Sequence, residues 1–160
     1  MAVGSILLPV QSAKLEATGP AIDAGEANWR LLFDAAAAEY CTFQFQMPVN
    51  YASALVAKPQ FTMASATGGA VVLSFEAMAV TPADIADIVT DSYDTPNTAI
   101  ANVAGTAGHL AFTSVTLTNA DSVAANDYFK VRVGRVAADG SDSALADCEL
   151  VALNLQYTTT

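Results

Sequence analysis

The sequence predicts an all-β protein: a single-domain antiparallel β-sandwich of jelly-roll type, with about eight strands and an extended N-terminal arm. Apolar and polar residues alternate with a period of two in several segments, which is the pattern of strands with one buried face. Turn residues separate these segments at intervals of about 8 to 12 residues, and no long segment has the period of a helix. A chain of 160 residues suits one domain with its own core.

Residues 1–25 are predicted to form the arm, and residues 26–160 the sandwich domain. Glycines and prolines interrupt the first segment, which has little periodicity and is expected to hold at most one short strand. Such terminal segments are often ordered only against a partner. The predicted strands that follow lie at residues 28–34, 39–47, 55–65, 71–80, 98–103, 110–118, 127–136 and 148–157.

Three local features refine this assignment. Pro59 cannot donate to a strand ladder, so its segment is predicted to be an edge strand or a bulged one. The apolar phase changes between Phe112 and Val115, which predicts a bulge. Residues 81–89 begin with Thr-Pro and are predicted to form one or two helical turns, with Ile85, Ile88 and Val89 towards the core.

The strand at residues 127–136 carries three of the six basic residues of the chain. We expect it to form a hairpin with the final strand, across an acidic turn. Arg135 offers a planar fork that matches a carboxylate at two points. An ion pair between Arg135 and one or two of the nearby aspartates is therefore predicted to fix the hairpin register, and the candidates are Asp139, Asp142 and Asp147.

The charge of the chain excludes several partners. The net charge is -10 and only 14% of the residues are charged, against about 25% in typical proteins. Nucleic acids and anionic membranes need clustered basic residues, so neither is expected as a partner. The low charge reflects either a bias towards alanine or a surface covered by partner subunits.

No residue pattern predicts catalysis. His109 is the only histidine and belongs to no recognised motif, and two cysteines with one histidine lack the spacing of a zinc site. The turn at residues 139–147 does not follow the order of a calcium loop. Cys41 and Cys148 are expected to be buried thiols, and a disulfide would require neighbouring or facing strands. We therefore predict no catalytic residue, cofactor, metal or small-molecule substrate.

Several segments together resemble a known family. They are Leu-Leu-Phe-Asp at 31–34, Phe-Gln-Phe-Gln-Met-Pro-Val-Asn-Tyr at 43–51, Asn-Asp at 126–127, Val-Arg-Val-Gly-Arg at 131–135 and Leu-Asn-Leu-Gln-Tyr at 153–157. The chain resembles the jelly-roll virion proteins of tailed bacteriophages, namely the capsid decoration (cement) and head-fibre proteins. This resemblance implies a non-enzymatic protein that binds the major capsid protein and usually forms a homotrimer. It also implies synthesis in the host cytoplasm and a final location on the capsid surface of the virion.

The N-terminal arm would suit such an assembly, because an extended segment can add a strand to a neighbour's sheet. The candidate interface residues are Val3, Ile6, Leu7, Leu8 and Val10; the alternative is a disordered terminus. A second interpretation of the chain is a phage tail or fibre receptor-binding domain that recognises carbohydrate. Tyr93, beside Asp91 and Asp94, is the best candidate for that site. An enzyme that degrades glycans is the third interpretation.

Overall fold

The computed structural model describes residues 2–24 and 28–160, which form two antiparallel sheets packed as a sandwich. The strands in this part of the chain are β1 (Val3–Pro9), β2 (Lys14–Leu15), β3 (Ala21–Asp23), β4 (Arg30–Phe33), β5 (Glu39–Gln46), β6 (Tyr51–Met63), β7 (Ala70–Val80), β8 (Asn97–Asn102), β9 (Ala111–Phe112), β10 (Val115–Thr116), β11 (Tyr128–Arg135) and β12 (Cys148–Thr159). The predicted all-β jelly-roll sandwich is confirmed.

We call the larger sheet sheet A and the smaller one sheet B. Sheet A has the order β10-β6-β12-β4-β3, with β1 also paired to β12 and β9 also paired to β6. Sheet B has the order β2-β5-β11-β7-β8. Within the described residues, eight strands have four residues or more, and β2, β3, β9 and β10 have two or three.

The core lies between the inner faces of the two sheets. On β11, Phe129, Val131 and Val133 are fully buried, while Lys130 and Arg132 on the other face are half-buried. Sheet A contributes a matching row from β12, including Leu153 and Leu155. Each such side chain stabilises the fold by about 1.5–3 kcal/mol relative to its exposed state.

The N-terminal segment is part of the sandwich, which differs from the arm that the sequence predicts. Strand β1 pairs with β12 of the same chain, from Val3 opposite Thr158 to Pro9 opposite Ala152. A 3-10 turn at Val10–Ser12 then leads into β2, which pairs with β5 in sheet B. The predicted boundary between arm and domain, at residues 25 and 26, lies outside the described residues.

The predicted hairpin between the last two long strands is wrong. Strand β11 pairs with β5 and β7 in sheet B, whereas β12 pairs with β1, β4 and β6 in sheet A. The connection at residues 136–147, which we call the β11–β12 loop, passes from one sheet to the other. Sheets in a sandwich lie about 10 Å apart, which a loop of this length crosses easily.

The predicted helix at residues 81–89 is also absent. The connection between β7 and β8, residues 81–96, is a loop with turns, and we call it the β7–β8 loop. A short helix needs an apolar face packed against the core. Here the side chains of Ile85 and Val89 point to solvent instead.

The strand irregularities fall close to the predicted places. The pairing of β12 with β6 shifts at three places. Between Leu150 and Ala152 the extra residue lies in β12, whereas between Gln156 and Thr158 and between Thr158 and Thr159 it lies in β6. Strand β6 is therefore bulged, and it is paired on both sides. Pro59 stands between the residues of β6 that pair with β10 and those that pair with β9. The predicted strand at 110–118 is divided into β9 and β10, where its apolar phase changes.

Candidate interaction surfaces

The first candidate surface is the part of sheet A formed by β1 and the second half of β12. On its solvent side, Val3, Ser5 and Leu7 lie opposite Thr158, Gln156 and Asn154. Val3 is 66% exposed and Leu7 is 65% exposed, although both lie within a regular strand. The Ser5 hydroxyl donates to Asn154 Oδ1 at 2.7 Å. The surface is therefore two aliphatic side chains, Val3 and Leu7, with Ser5 between them, beside a row of uncharged polar side chains.

The free edge of β1 belongs to the same surface. Of the described strands, only β12 pairs with β1. Proteins usually protect such an edge with a charged side chain, but β1 has none, and its proline is at its last position. An open, uncharged edge can accept an added strand from another molecule.

The structure divides the five predicted interface residues into two groups. Val3 and Leu7 are exposed and Ile6 is half-buried. Leu8 and Val10 are 6% and 4% exposed and belong to the core of their own chain. The contact that the sequence predicts with a neighbour is thus made, for these two residues, within the same molecule.

The second candidate surface is the β7–β8 loop, in which every residue from 81 to 92 is exposed. Ile85 has a relative exposure of 107%, Val89 of 82% and Ile88 of 44%. Asp84, Asp87 and Asp91 lie among these side chains in the sequence. The loop therefore presents aliphatic side chains within an acidic segment.

Hydrogen bonds hold the second half of this loop. Asp87 Oδ1 accepts the backbone N–H of Val89 at 2.8 Å, and the backbone oxygen of Asp87 accepts the N–H of Asp91 at 2.8 Å. The hydrogen bond from Val89 lowers the pKa of Asp87, so its carboxylate stays charged. Lys130 Nζ donates to the backbone oxygen of Ile88 and ties the loop to sheet B.

A groove of about 200 Å³ lies beside Tyr93 on the outer face of sheet B. One face of the half-buried Tyr93 ring is covered by Arg132, whose guanidinium carbon lies 4.8 Å from the ring centre. Asp91 lines the groove, but the Asp94 carboxylate accepts backbone N–H groups of Thr95 and Asp121. Of the two predicted carboxylates, only Asp91 is therefore placed for a ligand in this groove.

Arg132 is at the centre of a polar cluster on the same face. Its guanidinium lies between the rings of Tyr93 and Tyr40, at 4.8 and 4.7 Å, and its Nη2 donates to Glu76 Oε2 at 2.5 Å. Burial alone would lower the pKa of Arg132, but the hydrogen bond and charge of Glu76 outweigh it and raise the pKa. These contacts organise the sheet surface and leave the arginine fully charged.

The structure places Arg135 against one of the three predicted aspartates. The guanidinium is fully buried and donates to both carboxylate oxygens of Asp142, from Nε at 3.0 Å and from Nη2 at 2.7 Å. It also donates to the backbone oxygens of Ala144 and Ala146, at 2.6 Å each. Asp139 accepts the N–H of Ser141, and Asp147 that of Ala35. Because the loop changes sheets, this pair anchors a crossover and not a hairpin.

The remaining residues with reactive or metal-binding side chains are dispersed over the fold. Cys41 lies in sheet B and Cys148 in sheet A, both as buried free thiols, and burial raises the pKa of each to about 12. His109 is exposed. Within residues 2–24 and 28–160, no group of three or more His, Cys, Asp or Glu side chains is arranged to hold a metal ion. A cavity of about 480 Å³ between β6 and residues 116–123 is lined by uncharged side chains.

Comparisons with known proteins give a likeness of fold. No protein-family model matches the chain, and a search of curated proteins found no match. Among solved structures, the CBM36-1 domain of a multidomain xylanase from the hindgut metagenome of Trinervitermes trinervoides has a TM-score of 0.51 and 7% identity, covering 98% of this chain and 100% of that one. At this identity the likeness shows the β-sandwich fold alone.

Two further structures are more distant. TmCBM61, solved with β-1,4-galactotriose, has a TM-score of 0.40 and 7% identity, over 96% of this chain and 87% of that one. CBM28, a module specific for non-crystalline cellulose, has a TM-score of 0.42 and 8% identity, over 93% and 86%. In the described part of our chain, no helix is long and apolar enough to cross a membrane.

The sequence did not reveal the two candidate surfaces as they stand. In β1, Ile6 and Leu8 are inward-facing apolar residues two positions apart. The apolar Leu7 between them hides this alternation of apolar and polar residues in the sequence. For the β7–β8 loop, the repeat Asp-Ile at 84–85 and 87–88 was a visible signal. This repeat predicts a helix that covers the core, because aliphatic residues are usually buried.

Proposed function

We propose that this chain is a non-enzymatic structural protein of a phage virion. It decorates and stabilises the icosahedral capsid by binding the major capsid protein and other copies of itself. The observation that carries this proposal is the open, uncharged edge of β1, with Val3 and Leu7 exposed beside it. An edge of this kind favours association through main-chain hydrogen bonds and apolar contact.

The surface composition supports an assembling protein. Only 14% of the residues are charged, and the cores of protein interfaces are depleted of charged side chains. The resemblance to phage decoration and head-fibre proteins supports the same class. The segments that carry it lie mainly in β5, β11 and β12, which build the sandwich.

Self-association through β1 can be tested by light scattering on the purified chain. A trimer closed by rotation brings β1 of one copy against a different surface of the next. We expect a trimer for the wild type and a shift towards monomer for Val3→Ser/Leu7→Ser. Val49→Ser is the matched control, since Val49 is 77% exposed but lies outside β1. An unchanged oligomer in the β1 variant would contradict this use of the edge.

The second candidate function is a phage receptor-binding domain that recognises carbohydrate. The observation in its favour is the groove beside Tyr93, which is lined by Asp91, Gln44 and Lys130 among others. These groups could hydrogen-bond to sugar hydroxyls. Binding of a glycan by the wild type, lost in Asp91→Ala and retained in Asp139→Ala, would favour this function over capsid decoration.

A further inference from the structure

We propose that the β7–β8 loop is the element that contacts the capsid shell, and that it docks into an apolar cleft bordered by lysine or arginine side chains. This inference rests on the proposed function, and it names the partner's surface chemistry. The partner of the loop is a protein surface, which we infer from the exposure, the hydrogen bonding and the charge of the loop.

The loop exposes a cluster of aliphatic side chains. Single exposed aliphatic side chains are common on protein surfaces. Here Ile85, Ile88 and Val89 lie within five consecutive residues and are 107%, 44% and 82% exposed. Clustered apolar exposure of this kind marks an interaction site.

The loop is also held in place before any partner binds. The turn at Asp87 fixes residues 87–91, and Lys130 holds the backbone of Ile88 against sheet B. An ordered loop loses less conformational entropy on binding than a free one. The side chains of Ile88 and Val89 are thus presented by a fixed backbone.

Charge identifies the kind of partner. Residues 81–96 contain four aspartates and no basic residue, in a chain of net charge -10. Such a loop is repelled by nucleic acid and by anionic lipid. A protein cleft with a basic rim provides both apolar contact and opposite charge, which aids partner choice and the rate of association.

The position of the loop allows it to act together with β1. The loop leaves the end of β7 in sheet B, while β1 lies in sheet A. A contact through the loop with the shell is therefore compatible with a contact through β1 between copies of the chain.

The experiment measures co-sedimentation of the purified chain with capsids of the same phage that lack it. The apolar test variant is Ile85→Ser/Val89→Ser. Its matched control is Leu145→Ser, because Leu145 is 95% exposed but lies in the β11–β12 loop. That loop bonds to Ala70, at the other end of β7 and roughly 30 Å away by the rise of a strand.

We expect the loop variant to bind about tenfold more weakly or worse, with an unchanged oligomeric state and melting temperature. Leu145→Ser should bind as the wild type does. The charge test compares Asp84→Asn with Asp139→Asn. Asp84→Asn should weaken capsid binding at low salt and make capsid binding less dependent on salt. Asp139→Asn should change neither the binding nor its salt dependence.

The other outcomes distinguish a failure of the inference about the loop from a failure of the proposed function. If the wild type binds capsids and the loop variant binds equally well, the inference about the loop is wrong and the proposed function stands. If the wild type does not bind capsids, both fail. Binding of the wild type to vesicles of phosphatidylcholine and phosphatidylserine, lost in the loop variant, would replace the protein cleft by a lipid surface.

Discussion

Arg135 and Asp142 form a buried, two-point ion pair that joins the end of β11 to the loop leading into sheet A. Arg135 is 0% exposed, and its Nε and Nη2 lie 3.0 and 2.7 Å from the two carboxylate oxygens. Asp142 Oδ2 also accepts the N–H of Val72, at 2.9 Å, so the pair connects three segments. Burial would lower the pKa of Arg135, but Asp142 outweighs it and raises the pKa.

The first prediction concerns this pair. Arg135→Ala removes the positive partner of the buried Asp142 carboxylate, which keeps only the Val72 N–H, and leaves the backbone oxygens of Ala144 and Ala146 without the guanidinium. We expect a loss of about 3–5 kcal/mol in the free energy of unfolding and a fall in melting temperature of roughly 10 °C. Thermal unfolding monitored by circular dichroism measures this. Asp139→Asn is the control, with an expected change within about 0.5 kcal/mol; an unchanged melting temperature for Arg135→Ala would refute the prediction.

The second prediction concerns the contact between β1 and β12. A Cβ atom on Gly4 would lie 2.2 Å from Cζ of Tyr157, whose ring packs on Tyr51 and whose hydroxyl donates to Asn50 at 3.2 Å. Gly4→Ala should therefore cost about 1–3 kcal/mol and loosen β1. Hydrogen exchange should show faster exchange of the β1 amides, whereas Ser5→Ala should leave them protected. Equal protection in both variants would contradict this packing.

The third prediction concerns the buried thiols. With pKa values near 12, Cys41 and Cys148 should resist iodoacetamide at pH 8 in the folded protein and react in urea. Mass spectrometry counts the labelled thiols. Rapid labelling of the folded chain would contradict the burial of either cysteine.

The same shifts give a dependence of stability on pH. An unfolded thiol ionises near its ordinary pKa of 9.0, while the folded one stays protonated until about 12. The contribution is fully present below pH 9 and is lost as the pH rises towards 12, because the unfolded state then binds fewer protons. Urea unfolding between pH 8 and 11 should show a shallower decline for Cys41→Ala than for the wild type. Identical slopes would rule out this contribution.

The fourth prediction concerns Arg132 and its two acidic neighbours. Glu76 is 7% exposed and accepts from Arg132 at 2.5 Å, whereas Glu16 lies 3.6 Å away and is more exposed. Glu76→Gln should cost about 1.5–3 kcal/mol, and Glu16→Gln less than about 1 kcal/mol. Urea unfolding of both variants checks the order. A larger effect for Glu16→Gln would show that the cluster is arranged differently.

Sequence patterns predicted the long strands because the alternation of buried side chains is local information. In β5 the apolar residues Cys41 and Phe43 alternate with the polar residues Thr42 and Gln44, although Thr42 is also buried, and the same period of apolar and polar residues appears in β11. Alternation does not say which strands pair. For that reason the approach of Arg135 to an aspartate could be expected, but the crossing of its loop from sheet B to sheet A could not.

The candidate surfaces were harder to predict, because they depend on which apolar residues the fold leaves uncovered. Leu7 and Leu8 are neighbours of the same type, yet Leu7 is 65% exposed and Leu8 is 6% exposed. Ile85 has an aliphatic side chain typical of a core residue, but it lies exposed in the β7–β8 loop. Only the pairing of β1 with β12, and the path of the β7–β8 loop, decide these exposures.

The most direct test of the central claim is to add the purified full-length chain to capsids of the same phage that lack it. The bound copies are counted after sedimentation, and the melting temperature of the capsids is measured with and without the chain. The account predicts saturable binding, in multiples of three copies per three-fold position, and a more heat-stable shell. A chain that stays in the supernatant, or binds without any change in shell stability, would contradict the account.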